Sequence, residues 1–126
     1  METTYRPGAC NIGSAEIARR RRSATFLAFV TLVVAGALLA SGVPVLGRVL
    51  VFPFAAAAAV TWLQVARRFC VAFGALGIRN FGSLGAAESI EDAAARAADR
   101  WTALRMIAEG SLLGLIATAV VVAVPL

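Results

Sequence analysis

Between Arg22 and Arg48 the chain runs "SATFLAFVTLVVAGALLASGVPVLG" without a charged residue. That stretch exceeds the ~20 consecutive apolar residues needed to cross the hydrocarbon core of a bilayer. A chain of 126 residues is one domain, and this one is 60% hydrophobic with mean hydropathy +0.83. A water-soluble domain of that size cannot hide so much apolar surface, so the solvent for much of it is lipid.

Two further apolar runs follow. "VLVFPFAAAAAVTWLQVA" spans Val49 to Ala66, with Pro53 in its first turn, where a missing N–H costs little. The third starts near Trp101 and is free of charge from Gly110 onward, "GSLLGLIATAVVVAVPL". The expected fold is an all-α, single-domain integral membrane protein of three spans. Its expected layout is a tail over 1–22, span 1 over 23–44, span 2 over 49–67, a glycine-rich apolar cap over 68–85, an amphipathic helix over 86–105 and span 3 over 104–125. Gly42 and Pro44 are expected to end span 1.

All twelve basic residues are arginine, and the net charge is +5. With the N-terminus inside, Arg48 alone lies outside and the other eleven arginines lie on the cytoplasmic side. This positive-inside asymmetry predicts N-in, C-out and a cytoplasmic loop between spans 2 and 3. Trp62 and Trp101 fall near the same interface. Arg19, Arg20, Arg21, Arg22, Arg67 and Arg68 read as contacts to anionic lipid headgroups rather than to nucleic acid. "RRRRSATFLAF" lacks the aromatic residue of a twin-arginine signal, and "ALLASG" is a poor cleavage site, so span 1 is expected to stay as an anchor. Cys10 follows "RPGA" with no apolar segment before it, which excludes a lipoprotein box.

Chemistry is sparse. The absence of histidine excludes a bis-His haem, a Ser-His triad and ordinary zinc catalysis. No P-loop, paired catalytic carboxylates or nucleic-acid motif is present, and no enzymatic activity is expected. Cys10 and Cys70 read as small buried hydrophobes. The sharper alternative has two chains pooling four thiolates for zinc or an iron–sulfur cluster. Arg105 and Glu109, four residues apart in span 3, form an expected ion pair, with transport or proton handling as the alternative. Gly110-xxx-Gly114, Gly36-xxx-Ala40 and Ala55-xxx-Ala59 are small-residue faces suited to close helix packing. Ser14 is an expected N-cap, with Glu16 reaching Arg20 one turn later. Ser89 and Asp92 resemble a capping box, and Ile90, Ala94, Ala97, Trp101 and Leu104 form a narrow apolar stripe expected to pack on protein.

The segment "RFCVAFGALGIRNFG", Arg68 to Gly82, is too short to cross and too apolar to lie free in water. It is expected to fold over the cytoplasmic end of the bundle against the "CNIG" tail. Phe69, Val71, Phe73 and Ile78 would face inward, bringing Cys10 and Cys70 together. "PGACNIGSAEIARRR" and this segment resemble paired stretches of small multi-span prokaryotic membrane proteins with CNIG and FCVAFGxxGxxNFG motifs and no assigned activity. The resemblance implies that tail and loop act as one unit. Three roles are open to such a chain in the cytoplasmic membrane. One is a structural or accessory subunit held to another membrane protein or to itself; another is a small oligomeric channel or transporter using Glu109 and Arg105. The third is a metal or redox protein using the cysteines. No cofactor is expected beyond bound lipid.

Overall fold

The computed structural model describes residues 4–125. Three residues of the expected tail and Leu126 of the third apolar run lie outside the described residues. Helix α1 is Ser14–Ala40, and a 3-10 turn covers Val45–Val51. Helix α2 is Phe52–Arg67, and a short α3 is Val71–Leu76. Strands β1, Ile78–Arg79, and β2, Glu88–Ser89, pair antiparallel before the long helix α4, Ala93–Ala123. Among the described residues, three helical stretches are long and apolar enough to cross a membrane: Ser14–Ala40, Val45–Arg67 and Ala93–Ala123. The chain is an all-α multi-pass membrane protein, and its described residues hold only the two-residue strands as sheet.

Helix α2 lies in the middle and packs on both α1 and α4. Its approach to α4 depends on two glycines. A Cβ on Gly114 would stand 2.8 Å from the Ala56 backbone, and one on Gly110 would stand 2.3 Å from Val60 Cγ2. The expected GxxxG face is thus used inside the chain. On α2 it is met by Ala56 and Val60, while Ala55 is buried and Ala59 partly so. Among the described residues nothing lies near the missing Cβ of Gly36 in α1, and Ala40 is exposed.

Several boundaries differ from the sequence reading. Span 1 reaches back over the arginine run to Ser14, and Gly13 rather than Ser14 is its cap residue. Phe52 opens α2 after the 3-10 turn. Arg48, within that turn, is buried against α4. Its guanidinium donates to the carbonyls of Val121, Val122 and Val124 at 3.3, 3.2 and 2.7 Å. It therefore satisfies carbonyls that every helix C-terminus leaves unpaired. The amphipathic helix starts at Ala93, not 86. Asp92 caps it by accepting from Ala95 N–H at 3.1 Å, and Ser89 lies in β2. From there α4 runs unbroken into the third span.

The apolar stripe on α4 is a correction in direction. Ala94, Ala97, Trp101 and Leu104 face outward, and only Ile90, ahead of the helix, is buried. The inward face carries Ala95, Asp99, Thr102, Ala103 and Met106. In a membrane protein apolar side chains are stable on the outside, so hydropathy alone does not choose the packed face.

Candidate functional site

At the arginine-rich end of the bundle the tail, the start of α1, the 68–82 segment and the head of α4 close into one polar cluster. It begins with a reversal of the chain. Arg68 adopts a left-handed conformation, φ +53°, directly after α2. The chain can then turn back and bury Phe69 completely against Ala103 and Met106, with Leu63 and Val71 alongside. Full burial of such a ring is worth about 2–3 kcal/mol. Gly74 makes room for it: a Cβ there would stand 2.7 Å from the Phe69 ring and 3.0 Å from the Asp99 carbonyl. Gly77, φ +73°, ends α3 in a conformation that side chains resist.

The tail docks on this turn through main-chain bonds. Asn11 N–H donates to Arg68 O (3.2 Å), Asn80 N–H to Asn11 O (3.0 Å) and Gly13 N–H to Asn80 O (2.9 Å). Ile12 lies beside Asn80 in a parallel bridge and is fully buried. Asn11 then uses both ends of its amide on one residue. Its Oδ1 accepts from Cys70 N–H at 2.7 Å, and its Nδ2 donates to Cys70 O at 3.1 Å. Asn11 thereby ties the tail, one residue after Cys10, to Cys70. Both thiols are free and 1% exposed.

A charged layer seals the cluster. The Glu16 carboxylate, buried, accepts from Arg19 at 2.9 Å, from Arg20, and from Asn80 Nδ2 at 2.9 Å. Arg20 also donates to Cys70 Sγ at 2.7 Å and lies over the Phe73 ring, 5.3 Å from its centroid. Arg20 is therefore turned inward, onto Glu16 and Cys70. Arg21 and Arg22 remain exposed. Arg68 has its carbonyl in the tail junction.

A second anchor holds the front of the tail. Asp99, fully buried, accepts from Tyr5 Oη at 2.7 Å and from Gly8 N–H at 2.6 Å. Thr102 Oγ1 donates to Gly8 O at 2.8 Å, and the Arg79 guanidinium lies over the Tyr5 ring. Burial, with the Asp99 hydrogen bond and charge behind it, pushes the Tyr5 hydroxyl well above the usual tyrosine range. Asn11, Asn80, Asp99 and Tyr5 did not stand out in the sequence as site residues. Asn11 and Asn80 lie inside the "CNIG" and "RNFG" motifs, so their signal was present without an assigned role.

The expected Arg105–Glu109 pair is rearranged. Glu109 takes its salt bridge from Arg67 at the end of α2, so the bond ties two helices together instead of stapling one. Arg105 lines the same cavity as that pair. Among the described residues, no group of three or more His, Cys, Asp or Glu side chains is placed to hold a metal. The arrangement fixes a tail to a bundle; its cysteine sulfurs are occupied by local contacts, Cys70 with Arg20 and Phe73 N–H, Cys10 with Ile12 O. Set against protein-family models, curated proteins and solved structures, the chain matches none.

Proposed function

We propose that this chain is a structural or accessory subunit of a protein complex in a prokaryotic cytoplasmic membrane. Its tail and cap face the cytoplasm, following the arginine asymmetry. One observation carries the reading. Of the chain's small-residue motifs, Gly110 and Gly114 are consumed by α2, whereas Gly36 and Ala40 point out of α1 with nothing among the described residues against Gly36. An open small-residue face on a span invites a second helix, because backbones can approach closely there. The buried polar groups support the same reading, since Asn11, Glu16, Asn80 and Asp99 are spent on fixing the cap.

Isolation from the native membrane in a mild detergent tests the proposal. The expected result is a defined assembly containing a second membrane protein, lost in Gly36→Leu while the isolated chain stays folded. A monomer in both cases contradicts it.

A further inference from the structure

A cavity of about 490 Å³ opens where α2 ends and the charge-free part of α4 is about to begin. Its polar wall is Arg67, Arg105 and Glu109, its apolar wall Phe69, and its rim Gly8 and Thr102. The volume lies in the range of small-ligand sites. Two guanidinium groups meet one carboxylate there, which leaves one positive charge uncompensated. Arg67 and Glu109 bond to each other, with side chains 39% and 42% exposed. The Thr102 hydroxyl is committed to the Gly8 carbonyl. The Arg105 side chain is exposed and, among the described residues, makes no hydrogen bond or salt bridge; it acts on Glu109 only through its charge.

The position indicates where the compensating anion comes from. Trp101, one turn before Arg105, is 65% exposed, as indole rings are at the headgroup level of a bilayer. Past Glu109 the helix carries no charge. A guanidinium at that depth finds phosphates beside it, and planar N–H pairs suit phosphate oxygens.

We infer that this cavity binds the phosphate of an anionic phospholipid headgroup, held by Arg105 and by Arg67. Glu109 competes with the phosphate for Arg67 and so limits affinity. The phosphate would sit between the two arginines, with the glycerol end toward Phe69. Such a lipid would join the tail, through the Gly8 rim, to the ends of α2 and α4.

The test uses the full chain, stripped of lipid and held in nanodiscs of phosphatidylcholine. Phosphatidylglycerol is titrated as guest, and inorganic phosphate in a parallel series; binding is read as protection against thermal unfolding. Arg105→Gln should weaken phosphatidylglycerol binding by roughly fivefold, about the share of one arginine at an anionic surface. Glu109→Gln should tighten it by a similar factor, an outcome that poor folding cannot produce. Arg100→Gln, an exposed arginine of α4 that does not line the cavity, should change it little. Equal weakening by Arg105→Gln and Arg100→Gln, or weaker binding in Glu109→Gln, overturns the site. Equal protection by inorganic phosphate overturns the lipid as its occupant.

Discussion

At the scale of single residues the account rests on Asn11. Its amide replaces a strand partner for Cys70, so Asn11→Ala leaves a buried N–H and a buried C=O unsatisfied. The expected loss is about 2–4 kcal/mol, measured as thermal unfolding in mild detergent. Tyr5 is the chain's one tyrosine, so tyrosinate absorbance during an alkaline titration reports it alone. Its folded-state pKa is raised, so its contribution to stability is complete below the unfolded value of about 10 and is lost as pH rises toward the folded value. The expected midpoint lies well above 10, accompanied by release of the tail; an ordinary midpoint contradicts the Asp99 anchor. Asp99 shows why such a site is hard to read from sequence. In "AADRW" it looks like any solvated helix charge, and its partners Tyr5 and Gly8 stand 94 and 91 residues away. Glu109 was legible as an ionisable group near a span, but local spacing pointed to Arg105, while the fold brings Arg67 closer.

Among the elements, hydropathy marked where helices run because lipid rewards apolar length. It said less about their ends and faces. The 3-10 turn before α2 and the inward Arg48 depend on the C-terminus of α4, which no local pattern in 45–51 announces. Arg48→Ala removes the donor to three carbonyls and should fray the end of α4 at a cost of about 1–3 kcal/mol. Hydrogen exchange at Val121 to Val124 reads this locally. The two small-residue faces separate packing from association. Gly114→Leu forces a side chain into the Ala56 backbone and should destabilise the fold by at least ~1–3 kcal/mol, whereas Gly36→Leu should leave thermal stability unchanged. Equal effects would mean that α2 and α4 do not pack as described.

For the whole molecule, the pairing of the "CNIG" tail with the glycine-rich segment was legible because both are apolar, too short to cross and placed on the same side by the arginines. Its polar content was not, since a list of residues does not show which amide meets which backbone. A reporter fused to the C-terminus should be exported and one inserted near Ala86 should stay in the cytoplasm; the reverse contradicts the orientation. The central claim is that tail, loop and the head of α4 form one closed cap, and the two cysteines test it most directly. Cys10 and Cys70 are each 1% exposed and joined through Asn11. In native membranes a water-soluble maleimide should label neither thiol at an appreciable rate, and Asn11→Ala should expose both together. Fast labelling of Cys10 in the unaltered protein while Cys70 stays protected would show a free tail and contradict the cap.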